Sequence, residues 1–262
     1  RYGDRVRYVR QPNGGRARAR NTALAEAAGD YVGFLDSDDL WLPDRIARQV
    51  PVLDGDAGVA LVHGHVALID DSGAPLPAET ALEQARFSRA HRNGATYAGY
   101  ALESRCLTST ILVRRDVALA VGGYDPAIPV EDVELYLRLL QGHRIAFLEG
   151  PALALYRRHP GQTPNAEMLE GHALTAIKHL ALMDARPPVS GDRLARRNLL
   201  LALARTRYMQ RDQPAARRAL LAAVAVDPRA LLVPGAARWL AGSLAPSGLR
   251  RALRGGSLRD GG

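Results

Sequence analysis

Tyr31-Val32-Gly33-Phe34-Leu35-Asp36-Ser37-Asp38-Asp39 runs an apolar segment directly into three carboxylates within four residues. A short apolar run of this kind reads as a buried strand, and it stops at the acids. Like charges so close repel, and the ends of strands in open α/β sheets are where ligands bind, so a cation that neutralises the cluster accounts for it simply. Mg²⁺ or Mn²⁺, held by one or two carboxylates together with diphosphate oxygens, suits such a set of hard oxygen donors. A calcium loop of the EF-hand type is excluded, because the glycine and closing glutamate positions counted from Asp36 hold Trp41 and Ala47. The alternative is that Asp38 or Asp39 caps the next helix and the rest is solvated turn.

Outward from this stretch, apolar strands alternate with helical patterns, which predicts an α/β class. Arg7 to Arg10 reads as a strand, Arg16 to Ala28 as a helix closed by Gly29, and Asp44 to Val50 as a helix with Pro43 at its start. Val59 to His63 and Val66 to Ile69 read as strands before the turn Asp70-Asp71-Ser72-Gly73. Ala74 to Leu107 has weak periodicity and is expected to be a long loop with short helices over one sheet face. Thr108 to Val113 reads as a strand, Arg115 to Val121 as a helix ended by Gly122-Gly123, Glu131 to Gln141 as a helix, and Arg144 to Leu148 as a strand. From Ala166 onward Ala, Leu and Arg dominate, which predicts about four helices broken at Pro187-Pro188, Pro214, Pro228 and Pro246. The expected division is therefore a catalytic domain at 1–163 and a helical region at 164–262.

The 262 residues, 47% hydrophobic, suffice for one sizeable core. A net charge of +8 favours anionic partners, but Lys178 is the sole lysine, so the arginine bias also reads as a coding preference. Cys106 is the only cysteine, which rules out an internal disulfide and suits a reducing cytoplasm. The sequence begins at Arg1, so targeting is not read from it.

Asn13-Gly14-Gly15, Ala19-Arg20-Asn21, Ala28-Gly29-Asp30-Tyr31, Leu35-Asp36-Ser37-Asp38-Asp39, Trp41, Pro43 and Gln49 resemble family 2 of the glycosyltransferases. The likeness is dense from Tyr8 to Gln49 and sparser to about Thr163. It implies a GT-A fold, a Rossmann-like nucleotide-sugar-binding sheet with helices on both faces, and an inverting transfer of a sugar from a nucleotide-diphospho-sugar to a hydroxyl. Asp36-Ser37-Asp38 then stands as the family's Asp-X-Asp motif, with Asp38 or Asp39 as metal ligand and Asp36 near the ribose and the ion. The resemblance further implies nucleotide-sugar contacts at Asn13, Arg16, Arg20 and His159. Arg16 and Arg20 lie four apart on one helix face, so both can point at an anion, whereas Arg18 points elsewhere. It also implies a strand, a helix and a second strand ahead of Arg1, so an apparently incomplete N-terminus is expected.

Gly122-Gly123-Tyr124-Asp125 followed by Glu131-Asp132 resembles the second family signature. A carboxylate fixed on a helix can take the acceptor's proton, and the helix dipole favours its ionised form, so Asp132 is the expected base with Glu131 beside it. The alternative is that these acids only favour the helix start. Trp41, Tyr97, Tyr100 and Tyr124 are candidates to stack on sugars, or else core and rim aromatics. Tyr156 to Thr163 resembles the end of the family's catalytic domain, where His159 approaches the diphosphate.

Ala204 to Pro228 faintly resembles one tetratricopeptide helix pair, read as a helical cap on the catalytic domain. Beyond Pro228, six arginines against the single acid Asp260, with Trp239, Leu240, Leu244 and Leu249 between them, suit an interfacial helix on the inner face of a membrane. A solvated tail is the alternative, favoured by Gly255, Gly256, Gly261 and Gly262. Saccharide or lipid-linked acceptors in bacterial surface-glycan synthesis are the expected partners. Two rival functions stand beside this one: a non-catalytic relative of the same fold, and a basic nucleic-acid-binding protein. No nucleic acid is expected, because the aromatics are few and not interleaved with the arginines.

Overall fold

The computed structural model describes residues 5–91, 95–162 and 165–244. Its centre is a sheet of β1 (Tyr31–Gly33), β5 (Leu112–Arg114), β3 (Val59–Gly64) and β6 (Arg144–Leu148), in that order. β3 is antiparallel to β5 and parallel to β6, while β1 pairs antiparallel with β5. Alternate residues of these strands enter different clusters: Leu61, Val113 and Ile145 join one, Val62, Leu112 and Ala146 the other. That period of two gives the sheet two buried faces, as the α/β expectation requires. Helix α1 (Gly15–Glu26) packs Ala17 and Leu24 on the first face, and α2 (Arg45–Asp54) packs Leu53 on the second. A second sheet, β2 (Leu40–Trp41), β7 (Ala154–Arg157) and β4 (Val66–Ile69), flanks the acidic stretch. Neither β2 nor β7 was expected.

Four local expectations are corrected. Arg7 to Arg10 forms no strand; these residues are exposed, Tyr8 at 82%, and no described strand lies alongside to take their backbone groups. The stretch after Ala74 holds a full helix, α3 (Pro77–His91), before the short α4 (Tyr97–Leu102). Its buried stripe is Glu83, Phe87 and His91, four apart but mostly not apolar, so hydrophobic periodicity hides it. Thr108 to Thr110 is a single 3-10 turn rather than the start of β5. Finally, α2 continues through Pro51, which usually breaks a helix at about 3 kcal/mol. Here fully buried Leu53 anchors the last turn, and Arg114 donates to the Leu53 carbonyl at 2.5 Å.

One side chain ties this frame together. Arg45 is buried without a carboxylate partner; Nη1 donates to Ser109 O at 2.6 Å, Nη2 to Ile111 O at 2.7 Å and Nε to Gln49 Oε1 at 2.9 Å. Its guanidinium lies 4.1 Å from the Trp41 ring centroid. Gln49 in turn donates to Thr110 O at 2.7 Å and Val62 O at 3.1 Å. Burial lowers the Arg45 pKa to about 10.

α5 (Arg115–Ala120) and α6 (Glu131–Leu139) follow β5, and the Gly122 and Gly123 turn between them carries φ of +92° and +65°. α7 (Asn165–Asp184) and α8 (Asp192–Met209) share the main cluster with the sheet through Ala176, Met183, Ala195 and Leu199. Glu134, fully buried on α6, receives Lys178 of α7 at 2.6 Å and Arg138 at 2.5 Å. Burial opposes its charge, but Arg138 and Lys178, with His179 Nε2 at 3.6 Å, outweigh that and hold its pKa at about 2. α9 (Gln213–Val226) and α10 (Ala236–Leu244) close a smaller cluster with α8. Trp239 is buried in that cluster, so it is not on a membrane-facing surface. Leu249, the four tail glycines, Pro246, Thr163 and the last four arginines lie outside the described residues. Among the described residues no helix is long and apolar enough to cross a membrane.

Under α3 sits a histidine core. His91 Nδ1 lies 2.9 Å from Phe87 O and so donates to it, which leaves Nε2 to accept from Tyr100 Oη at 3.0 Å. Tyr100 Oη then accepts from His63 Nε2 at 2.9 Å, and His63 Nδ1 is left unprotonated and without a partner. Burial, with His65 and His91 nearby, pushes the His63 pKa well down, and burial lowers that of His91 against the pull of the Phe87 carbonyl. Both are therefore neutral in the fold, while their unfolded counterparts titrate near 6.5. Stability is full above that pH and falls below it, by at most about 1.4 kcal/mol per pH unit for each histidine. The melting temperature is expected to drop steadily between pH 7 and pH 5; a flat profile over that range would remove the neutral histidine core. Arg45→Met strands the Ile111 carbonyl and Gln49 Oε1 and leaves the Ser109 carbonyl only Trp41 Nε1, so it should lower the unfolding free energy by about 2 kcal/mol or more in denaturant titrations. A loss below about 1 kcal/mol would mean that those carbonyls find other donors.

Candidate active site

The loop from Phe34 to Asp39 leaves β1 and turns into β2, and its three acids go to three different partners. Asp39 is 5% exposed; Oδ2 accepts from the Ser109 hydroxyl at 2.5 Å and Oδ1 from the Arg157 amide at 2.9 Å. Burial raises its pKa, against the pull of those two hydrogen bonds. Asp36 donates its amide to Ser109 Oγ at 3.2 Å, while its half-exposed carboxylate accepts from Arg20 Nη2 at 2.8 Å. Asp38 turns its carboxylate to His159, with Nε2 and Oδ2 2.8 Å apart, and its carbonyl accepts from Arg157 Nε at 2.8 Å.

Ser109 thus holds two of the three acidic residues, and Arg157 holds the backbone or side chain of two. Neither was singled out in the sequence. Ser109 hides in an apolar stretch, and its position depends on Arg45 and on Trp41 Nε1, which donates to the Ser109 carbonyl at 3.0 Å.

The second acidic motif is brought to the first by α1. Arg20, one helical turn beyond Arg16, donates to Asp36 through one nitrogen and to Glu131 through the other. Burial opposes its charge, but Asp36 and Glu131 outweigh it and raise its pKa. Arg16 lies on the same face, with Nη2 2.9 Å from Glu167 Oε1 and donating to Pro129 O at 2.7 Å, and Nε 3.8 Å from Glu131. Glu131 is buried, and burial raises its pKa against the pull of Arg20 and Arg16. Asn13 stands apart from the acids and accepts from the Gly15 amide at 3.1 Å.

Asn21 explains the glycine pair. It donates to Tyr124 O at 2.8 Å and accepts from Tyr124 N at 2.7 Å, and a Cβ on Gly123 would come within 2.5 Å of its Oδ1. With φ at +65° as well, the position admits little but glycine.

Asp132, at the start of α6, accepts from its neighbour's Val133 amide at 2.8 Å and from the Thr108 hydroxyl at 3.3 Å. The Thr108–Thr110 turn therefore touches both motifs, Thr108 at Asp132 and Ser109 at Asp39. Of the aromatic stacking candidates, Tyr100 and Tyr124 are buried, Tyr97 bonds His179 at 2.8 Å, and Trp41 is taken up by Arg45. Among the described residues no group of three His, Cys, Asp or Glu converges to cage a metal, because the acids are drawn apart by Ser109, Arg20 and His159.

Of the two motifs, the first lies within the stretch that a known family matches. The sequence model of Glycosyl transferase family 2 matches residues 1–117. An uncharacterized glycosyltransferase of Rickettsia felis is 36% identical over 76 residues, 29% of this chain and 13% of its own length. A succinoglycan biosynthesis protein of Rhizobium meliloti is 53% identical over 45 residues, 16% of this chain and 14% of its own. The chain thus spans a small part of these curated relatives. A mannosyltransferase from Pyrobaculum calidifontis, solved with GDP-mannose and Mn²⁺, aligns over 87% of this chain and 63% of its own. At 20% identity and a TM-score of 0.48, that likeness is too slight to inform the site. Over residues 1–117 the chain is similar to Glycosyl transferase family 2.

Proposed function

We propose that this chain transfers a sugar from a nucleotide-diphospho-sugar to an acceptor hydroxyl with inversion at the anomeric carbon. The observation that carries this reading is the joining of two acidic motifs through Arg20 and the Thr108–Thr110 turn. Asp36 and Arg20 stand for the nucleotide, and Asp132 for the base.

In that reading Asp132 takes the proton of the acceptor hydroxyl as its oxygen attacks the anomeric carbon, and the bond to the diphosphate oxygen breaks on the opposite side. Glu131 has no such freedom; its carboxylate is committed to Arg20, so it positions that arginine. Arg20 in turn fixes Asp36, which keeps the nucleotide end of the site in register with α6.

A divalent ion fits the chemistry at Asp38 and His159, a partly exposed carboxylate and imidazole whose ligating atoms are 2.8 Å apart. Two protein donors leave most positions to water and donor phosphates, which is how Mg²⁺ and Mn²⁺ commonly bind at nucleotide sites. When bound, such an ion neutralises charge on the departing diphosphate. Asp39, with both oxygens taken up inside the fold, shapes the loop instead.

Bacterial surface glycan is the proposed product class, supported by the succinoglycan relative. A cytoplasmic site of action, peripheral on an anionic membrane face, suits the net charge of +8.

Asp38→Ala in the full-length protein should abolish Mn²⁺-dependent binding of nucleoside diphosphate in calorimetry and leave unfolding within about 1 kcal/mol of the parent, the worth of its pair with His159. Binding that persists with the same metal dependence rejects the assignment. Asp132→Asn should lower turnover by roughly 10²–10⁴-fold with donor affinity nearly intact. Normal turnover would take Asp132 out of the chemistry, and an equal loss of donor binding would make its role structural.

A further inference from the structure

Beside the Thr108–Asp132 pair lies a partly open cavity of about 570 Å³, between α3, α4, the 103–107 connector, α6, α7 and α8. Leu107 and Val133 line it, and these are the direct neighbours of Thr108 and Asp132, the hydrogen-bonded pair at the proposed base. Thr108 and Asp132 are not in the lining themselves; the wall begins at the residue beside each of them. Its size lies within the range of small-molecule sites.

The lining is mainly alkyl and aryl: Phe87, Leu102, Leu137, Met168 and Leu199 contribute to the walls. Its acids are already neutralised, since Arg105 reaches Glu83 at 3.2 Å and Glu103 at 2.6 Å. A few polar groups are left over. Thr175, 3% exposed, and Ser104 both line the cavity, and their buried hydroxyls have no hydrogen-bond partner. Buried hydroxyls are rarely left unsatisfied, so two of them lining one cavity call for an occupant that bonds them. An apolar chamber with a few convergent polar groups is how proteins hold amphipathic ligands.

We infer that this cavity receives the apolar segment of the acceptor, so the acceptor is a hydroxylated head group joined to an alkyl or aryl group. This rests on the reading of Asp132 as the base. The head-group hydroxyl lies at Asp132, the apolar segment enters past Leu107 and Val133, and Ser104 and Thr175 bond the linkage between the two. A bare sugar would leave the alkyl walls unfilled and binds poorly.

Calorimetry on the full-length protein tests this with n-octyl β-D-glucoside, kept below its micelle concentration, against methyl β-D-glucoside. The octyl compound should bind at least tenfold more tightly. Ala202→Trp, which fills the cavity from α8, should weaken octyl glucoside binding at least tenfold and leave Mn²⁺-dependent nucleoside diphosphate binding unchanged. Met209→Trp, at the 52% exposed rim, serves the same purpose if Ala202→Trp loses its thermal transition. Equal affinity for the two glucosides, or octyl glucoside binding that survives both fillings, overturns the inference. Those results do not involve the Asp132→Asn turnover measurement, so the cavity and the base fail separately.

Discussion

A buried guanidinium without a carboxylate is the constraint on which the rest of this molecule depends. Arg45 meets only carbonyl oxygens, the Gln49 amide and the face of Trp41, and the carbonyls belong to the chain that enters β5. An isolated charge is expensive to bury, so these dipoles must all be in place together. Once they are, Ser109 has a fixed position. From Ser109 follow the hydroxyl that takes Asp39 inward, the backbone of Asp36, and through its neighbour Thr108 the carboxylate of Asp132. The polar interior of a helix thus sets the geometry of a surface cleft.

Arg20 adds a second, electrostatic link. Its two nitrogens reach carboxylates 16 and 111 residues away, which makes one cation common to two motifs that are remote in sequence. Neither carboxylate is optional to the other: with Asp36 missing, Arg20 and Glu131 form a simple buried pair, and with Arg20 missing, Glu131 keeps only the longer contact from Arg16. The family motifs are therefore one charge network, with α1 as the element that holds them together.

Much of this was legible from residues alone, for physical reasons that can be named. Val59–Gly64 was legible as a continuous, mostly apolar run, and α1 and α6 by their end signals, Gly29 beyond the one and two acids opening the other. The acidic cluster and Glu131-Asp132 were legible because carboxylates at the ends of apolar elements demand an explanation. α3 was not, since its inner face is an acid, a phenylalanine and a histidine. Arg45 read as an ordinary helix residue, because partners 64 and 66 positions away are backbone carbonyls that no side-chain pattern announces. Three acids within four residues read as sharing one ion; in the fold their carboxylates meet separate partners, among them Ser109 and Arg157, which no local pattern announces.

The composition has a chemical consequence for handling this protein. Every side-chain amine in the sequence is Lys178, and it sits between Asp125 and Glu134, 2.6 Å from each, where it joins α6 to α7. Arginine guanidinium does not react with the usual acylating reagents, so apart from the chain's own amino terminus an acylation directed at amines has one address. Modification there removes a positive charge from beside a fully buried carboxylate. A routine lysine-directed dye or crosslinker would thus label a structural joint rather than an idle surface group.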